Sequence, residues 1–401
     1  MLFTYKALQK DGTKISGEMD ASSEKEISEY LKKNSYFPIE IKEKKPSSLD
    51  NITTLLQQVS FQDVTYMTRQ FAIMLDAGLT LIDSIEIIMK QVQKPALKKM
   101  LSEIDKSLRD GKTFSQALSK YPRQFSHFYV ALVKSGEASG KLDSILEKLA
   151  EHLEKQRAFS QKIRNAMIYP VVVISAMFVM MFVMFAFVMP QLLSLYDSFE
   201  VELPQSTQII MAISTFMKNY WPFVLIAIIA LIVTLLRLKN TKKGQEIFDR
   251  YIFKIPLLGN IVKTSGLVDA TRTLSILISS GVPILDGLVI VIDVNSNIVF
   301  KQAFQRIKEK VEKGMSVGSA MSNEPIFPES LIQMAIVGEQ TGHLDETLLK
   351  LSEYYQTESE MAVKGLLTMM EPMILIVLGV SVGFLVMAVI TPIFSLTNSL
   401  Q

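Results

Sequence analysis

Two short stretches decide the fold: Gly136–Asp143 reads GEASGKLD, and Gly338–Asp345 reads GEQTGHLD. The second begins 202 residues after the first (338 minus 136), and further pairs match at this offset or at 203. Matches at a near-constant offset indicate an internal repeat, here a domain of about 100 residues followed by an apolar helix. The pairs are Arg69 with Arg272, Gly78 with Gly281, Gly136 with Gly338, Glu137 with Glu339, Gly140 with Gly342, Leu142 with Leu344, Pro170 with Pro372 and Pro190 with Pro392.

Three uncharged runs are long enough to cross a membrane, since about 20 apolar residues in a helix span the hydrocarbon core. They are Val171–Met189, Asn219–Leu236 and Pro372–Gln401. The first and third end the two copies of the repeat. If both copies face the same side, an even number of crossings must separate them, so the middle run is predicted to be the return helix. None of the runs has an ionisable residue at its centre, which argues against an intramembrane proton relay.

A fourth apolar stretch, Thr273–Ile292, is not predicted to span. It aligns with Gln70–Met89 of the first copy, which contains Asp76, Asp83 and Glu86 and must therefore be soluble. Both stretches are predicted to be helical hairpins.

Basic residues predict the orientation, because they concentrate on the cytoplasmic side of a span. Five of them, from Lys148 to Arg164, precede the first run, and four, from Arg237 to Lys243, follow the second. We therefore expect a multi-pass inner-membrane protein with a cytoplasmic N-terminus and a periplasmic C-terminus. The start of the chain, MLFTYKALQKDG, has no apolar segment typical of a cleaved signal peptide, so the first span is expected to insert uncleaved.

Local signals complete the prediction of a mostly α fold. Ser60 to Asp63 and Thr80 to Asp83 resemble capping boxes, and Gly78 suits a helix C-cap. No breaker separates Leu142 from Pro170, or Leu344 from Pro372, so each copy is expected to end in one continuous helix directed towards the membrane.

The N-terminal residues differ in kind. Alternating Phe3, Tyr5 and Ala7, the turn at Asp11-Gly12 and a Ser-x-x-Glu box at Ser23 predict a small ββαβ module. The predicted domains are residues 1–43 (this module), 44–58 (linker), 59–168 (first cytoplasmic helical bundle), 169–190 (transmembrane helix 1), 191–218 (periplasmic connection), 219–237 (transmembrane helix 2), 238–371 (second cytoplasmic bundle), 372–392 (transmembrane helix 3) and 393–401 (periplasmic tail).

Composition excludes several kinds of chemistry. Among 401 residues, 42 Lys and Arg against 40 Asp and Glu leave a net charge of +2, which does not favour nucleic acid as a partner. With no cysteine, thiolate metal sites and cysteine nucleophiles are impossible. The three histidines, His127, His152 and His343, are interpreted as ordinary surface or helix residues. No catalytic or cofactor-binding residue is predicted.

Gly136 to Lys141 resembles a phosphate-binding loop but has three residues, not four, between the glycine and Gly-Lys, and the second copy lacks the lysine. We interpret Gly136, Gly140, Gly338 and Gly342, with the adjoining Leu142 and Leu344, as turns between helices. For Glu137 and Glu339 we favour capping of the next helix or bracing of the turn. A polar contact in a dimer interface and a divalent cation site are the alternatives.

The chain resembles the inner-membrane platform proteins of type IV pilus, type II secretion and DNA-uptake machines, the type II secretion F family. The resemblance spans nearly the whole chain, although the second copy has Ser280-Gly281 where the first has Ala77-Gly78. It is carried by Phe3 to Ala7 with Asp11-Gly12 and Gly17, by Arg69 to Leu75, by Gly136 to Leu142 and by Gly338 to Leu344.

The resemblance implies a protein without catalytic activity or cofactor that couples a cytoplasmic hexameric ATPase to pilin or pseudopilin subunits. It also implies a homodimer and contacts with other inner-membrane assembly proteins and the lipid bilayer. Two other classes stay open: a small polytopic transporter, which should have polar residues within its spans, and a membrane-bound enzyme that uses ATP.

Overall fold

The computed structural model describes residues 2–8, 14–20, 24–33, 36–43, 58–188, 191, 205–239, 241–256 and 258–399. The predicted turn at Asp11-Gly12, the box at Ser23, Pro190 and nearly all of the predicted linker lie outside these residues. Contacts divide the chain into two units: residues 1–60 with 90–101, and residues 61–89 with 102–401.

The N-terminal module has the predicted ββαβ order. Its elements are β1 (Leu2–Leu8), β2 (Lys14–Asp20), α1 (Glu24–Lys33) and β3 (Phe37–Glu43). The sheet order is β2-β1-β3, and both pairs are antiparallel. Ala7 of β1 and Ile27 and Leu31 of α1 are fully buried between the sheet and the helix, which is why the apolar alternation of β1 matters.

The helices of the first repeat recur in the second at the offset found in the sequence. Leu81, which begins α3, corresponds to Ile284, and Leu142, which begins α7, corresponds to Leu344. The repeat is therefore confirmed as a structural unit. The first copy contains α2 (Phe61–Asp76), α3 (Leu81–Gln91), α4 (Pro95–Arg109), α5 (Phe114–Leu118), α6 (His127–Ser139) and α7 (Leu142–Val183). After α8 (Gln205–Lys239) and α9 (Lys242–Ile252), the second contains α10 (Leu258–Ser279), α11 (Ile284–Val294), α12 (Ile298–Glu312), α13 (Val317–Met321), α14 (Glu329–Thr341) and α15 (Leu344–Ser399).

Aromatic side chains fill the core of each bundle. In the first, Phe71 meets Phe114 edge to face at 5.7 Å between ring centres. In the second, Phe300 and Phe304 both meet Phe327 edge to face. Each fully buried side chain of this size contributes about 1.5–3 kcal/mol through the apolar surface that it removes from water.

The last helix of each copy is longer than predicted. α7 has 42 residues and continues through Pro170, and α15 has 56 and continues through Pro372. A proline removes one backbone hydrogen bond, and in α7 and α15 the helix runs on despite that loss. The predicted domain boundaries at residues 168 and 371 therefore fall inside continuous helices.

Within the described residues, two helices are long and apolar enough to cross a membrane, one from Leu142 and one from Leu344. These are the ends of the two repeats. The middle apolar run lies in α8, where the stretch Asn219–Leu235 is shorter.

Candidate functional site

The junction between α6 and α7 turns at Gly140. Its backbone adopts φ 68°, a left-handed conformation that favours glycine, and Gly342 repeats it with φ 75° between α14 and α15. The amide of Lys141 donates to the Gly136 carbonyl at 3.0 Å, so the last turn of α6 is closed across the glycine. The predicted turn is confirmed at these two glycines.

Gly136 and Gly338 lie one turn earlier, inside α6 and α14, and not in the turn where the sequence places them. Their role is close approach. A Cβ on Gly136 would lie 3.0 Å from Ile145 Cγ1 and 3.2 Å from Leu142 Cα. A Cβ on Gly338 would meet Thr347 Oγ1 at 2.8 Å and, like its counterpart, the next helix's first Cα at 3.2 Å. The missing side chain lets the long helix fold back tightly on the preceding one.

The two glutamates cap a helix, but not the following one. Glu137 Oε1 accepts a hydrogen bond from the amide of Phe114, and Oε2 accepts from the amide and hydroxyl of Ser115 at 3.2 and 2.5 Å. Glu339 accepts from the amides of Val317 and Gly318 at 3.0 and 3.1 Å. Each carboxylate thus binds the N-terminus of the preceding short helix, where free amides and the helix dipole favour negative charge.

Both oxygens of both carboxylates are therefore already engaged by protein donors. In the part of the chain that the structure describes, no group of three or more His, Cys, Asp or Glu residues is placed to hold a metal ion.

Arg69 links α2 to α7 by three ionic hydrogen bonds. Its Nε and Nη2 donate to Glu154 at 2.7 and 2.6 Å, and its Nη1 donates to Glu147 at 2.5 Å. The hydrogen bonds to Glu154 raise the pKa of Arg69 and lower the pKa of Glu154. This fork ties the hairpin to the long helix.

Arg272 occupies the matching position in the second copy but a different environment. Gln356 replaces the carboxylate, at 3.5 Å from Nη1, and Nε has no partner. Arg272 is buried, which lowers the pKa of its guanidinium. It lines a cavity together with Lys155 and Phe159 of the first copy's α7. The second arginine therefore faces the seam between the repeats.

Four polar contacts join the two copies along this seam. Each pairs a side chain of the first copy with a residue about 130 to 200 positions later, so none could be found from local pattern. They are Ser135 Oγ to the Ser280 carbonyl at 2.5 Å, Lys148 Nζ to Ser279 Oγ at 3.0 Å, His127 Nδ1 to Asp293 Oδ2 at 3.0 Å and Lys162 Nζ to Glu360 Oε2 at 2.6 Å. The second copy's departure at Ser280-Gly281 thus lies at the interface with the first.

His152 and Asp269 also line the seam, in a cavity of about 160 Å³. His152 is 9% exposed, its ring lies 5.1 Å from that of Phe128, and its Nδ1 has no partner. Burial, with Arg272 and Lys155 nearby, lowers its pKa to about 4. Asp269 keeps solvent access through the cavity, but the surrounding protein raises its pKa to about 6. His127 and His343 are exposed, as expected of surface residues.

Sequence reasoning missed this pair. A signal was available for Asp269, which interrupts an apolar helix at a position where the first copy has the exposed Tyr66. His152 gave none, because its burial depends on the other repeat.

Two family models match this chain. The model of type II secretion system protein F matches residues 67–190 and 270–392, which coincide with the two repeats, and the model of that protein's N-terminal domain matches residues 1–42.

Curated relatives align over nearly their full length. The type IV pilus assembly protein PilC of Pseudomonas aeruginosa is 37% identical over 373 residues, covering 93% of this chain and 99% of its own. The type IV pilus assembly protein TapC of Aeromonas hydrophila is 32% identical over 395 residues, 98% and 95%. The type II secretion system protein F of Vibrio cholerae is 31% identical over 401 residues, 99% and 98%. The chain therefore belongs to the type II secretion system protein F family, whose members serve type IV pilus assembly and type II secretion.

Proposed function

We propose that this protein is a non-enzymatic inner-membrane platform that couples a cytoplasmic assembly ATPase to the extraction and polymerisation of pilin or pseudopilin subunits. Three spans, with α8 as the return helix, would place both bundles in the cytoplasm and the C-terminus in the periplasm. The domain boundaries predicted from the sequence are kept in this proposal, with 169–190, 219–237 and 372–392 as the membrane segments. A homodimer is part of the same proposal.

The observation that supports it most directly is the continuity of α7 and α15. Each helix begins inside a bundle, where Leu146 of α7 and Leu348 of α15 are fully buried, and ends in an apolar segment. A helix rises 1.5 Å per residue and bends little over a few turns. A displacement of a bundle by a cytoplasmic motor would therefore reach the membrane segments without loss at a joint.

The seam between the repeats supports transmission by both bundles together. Lys162 and Glu360 join α7 to α15 just before the apolar segments, so the two helices are fastened where they would enter the membrane. Further along, a cavity of about 190 Å³ between the helices is lined by apolar side chains alone. Such a lining suits packing within the bilayer better than the polar path of a transporter. Its residues are Val173, Ile174, Met177, Met370, Met373, Ile374, Val377 and Leu378.

Interrupting the helix tests the proposal. Two glycines inserted after Asn165, an exposed residue of α7, should break the continuity but leave the bundle core intact. The control is the same insertion after the exposed Gln93, in the loop between α3 and α4.

We expect the helix insertion to abolish pilus assembly or secretion in a strain lacking this gene, while association with the ATPase, measured by cross-linking, persists. The loop insertion should retain both. Assembly at the wild-type level with the interrupted helix would refute mechanical coupling through α7, and no association of wild-type protein with any ATPase would refute the platform role.

A further inference from the structure

Helix α9 turns its polar face towards the protein. Asp249, only 9% exposed, accepts a hydrogen bond from the amide of Ile298 at 2.8 Å and so caps α12. Gln245 Nε2 donates to the Ser296 carbonyl at 2.8 Å. These contacts fix the rotation of α9 about its own axis, because both side chains lie on one side of the helix, four residues apart.

The opposite face of α9 is apolar and exposed. Ile247 is 59% exposed, Tyr251 is 62% exposed, and Phe248 and Ile255 continue the patch. A helix on the surface of a water-soluble domain normally shows the reverse arrangement, with its apolar side inwards. A contiguous exposed apolar face of this kind indicates a surface that contacts something other than water.

The connection to α8 determines where this face lies. Only Asn240 and Thr241 separate the two helices. The Thr241 amide and hydroxyl both donate to the Leu238 carbonyl, at 3.1 and 2.7 Å, and its oxygen accepts from the Gly244 amide at 3.2 Å. A Cβ on Gly244 would clash with that same carbonyl, so α9 starts directly at the end of α8. The patch is therefore held within one or two helix turns of the end of the proposed return span.

Charge around the patch suits anionic lipid headgroups. Lys254 lies over the ring of Tyr251, 5.2 Å from its centre, and Arg250 is exposed beside it. In the sequence, Lys242 and Lys243 begin the helix. Each basic residue close to an anionic bilayer surface adds about 1 kcal/mol to its attraction, and aromatic rings are enriched at the same depth.

We propose that α9 and Ile255 lie in the headgroup layer of the cytoplasmic leaflet, with the apolar face inserted among anionic phospholipids. The inference rests on the proposed topology, in which α8 crosses the bilayer. It gives the second bundle an anchor beside the span, so that bundle is held at a set orientation to the membrane plane.

The absence of cysteine from the chain makes a direct test possible. Single variants Ile247→Cys and Tyr251→Cys would be labelled with an environment-sensitive fluorophore in the full-length protein, reconstituted at one copy per nanodisc containing anionic phospholipid. Spin-labelled lipid reports proximity to the headgroups. The matched control is Met334→Cys, also apolar and exposed but on α14 of the same bundle.

We expect lipid quenching at least several-fold stronger at residues 247 and 251 than at 334. Equal quenching at all three positions would overturn the proposal. Labels shielded from water but not quenched by lipid would also overturn it, since a protein would then cover the face. In discs of zwitterionic lipid alone, quenching at 247 should fall roughly twofold, because the attraction to the basic residues is lost; no change would overturn the assignment to anionic lipid.

A label at Ile226→Cys, in the apolar part of α8, separates this inference from the topology on which it rests. Quenching at 226 without quenching at 247 would remove the inference alone. No quenching at 226 would remove the proposed return span as well.

Discussion

Replacing Glu137 by alanine should release the short helix α5 without disturbing the equivalent helix α13. The change removes the acceptor for two amides and one hydroxyl at Phe114 and Ser115. A hydrogen bond to a charged group contributes about 1.5–3 kcal/mol, and an acid at a helix N-terminus adds roughly 0.5 kcal/mol.

The loss should be less than the sum of these contributions. Glu137 is only half-buried, so water can replace part of what is lost, and Thr113 still caps α5 by accepting from the Gln116 amide at 3.3 Å. We therefore expect local opening of α5 to become easier by about 2–3 kcal/mol. At about 1.4 kcal/mol per factor of ten, this is a roughly 30- to 150-fold faster amide exchange.

Hydrogen–deuterium exchange of the full-length protein in detergent, read by mass spectrometry, measures this peptide by peptide. Residues 316–322 of the second copy are the internal control and should exchange at the wild-type rate. Glu339→Ala should produce the reverse pattern with a smaller increase, since Glu339 lacks the third, hydroxyl, donor that Ser115 supplies to Glu137. Unchanged exchange at residues 114–118 in Glu137→Ala would refute the capping role, and faster exchange in both copies would refute its local character.

Three further predictions follow from contacts described above. Gly136→Ala should lower the free energy of unfolding by about 1–3 kcal/mol through overpacking, seen as a lower Tm; Gly365→Ala, where a Cβ meets nothing within 4 Å, should leave Tm unchanged or raise it. Arg69→Lys loses the fork to Glu154 but, because these groups are partly exposed, should lower stability by only about 1 kcal/mol, with less effect in high salt. His152 has a folded pKa of about 4 against 6.5 unfolded, so the unfolded state binds more protons between these values and stability should fall as pH drops through this window, by roughly 2 kcal/mol at pH 5. His152→Gln should remove that loss in thermal melts at pH 5 and 7.5, while Asp269→Asn should raise Tm at pH 7.5, because the raised pKa of Asp269 opposes folding above about pH 6. A pH dependence unaltered by His152→Gln would contradict the assignment, as would a wild-type Tm for Gly136→Ala.

The fold could be predicted in unusual detail because the repeat supplies a second reading of each element. Thr273–Ile292 could be separated from a membrane span only by comparison with Gln70–Met89, and it forms parts of α10 and α11, as predicted. Thr80 illustrates the local signals: its hydroxyl oxygen accepts from the Asp83 amide at 3.2 Å, as a capping residue should. What pattern did not predict was the continuation of α7 through Pro170 and of α15 through Pro372, because a proline's effect depends on its surroundings.

At the candidate site, sequence predicted the important residues better than their roles. Glu137 and Gly136 were both placed in a turn. In the structure one caps a helix that begins 23 residues earlier, and the other makes room for the following helix. Spacing along the chain reports which residues share a helix face, but not which helix that face meets.

By itself, the sequence determined the repeat, the apolar segments, the basic flanks and the glycine turns, since each arises from neighbouring residues or from periodicity. Only the tertiary structure decided how the two copies differ. Arg69 and Arg272 occupy equivalent positions, yet one binds two glutamates at the surface and the other is buried at the seam beside His152. The physical reason is that burial and charge environment depend on contacts between residues up to 200 positions apart, and such contacts exist only once both bundles have folded and packed together.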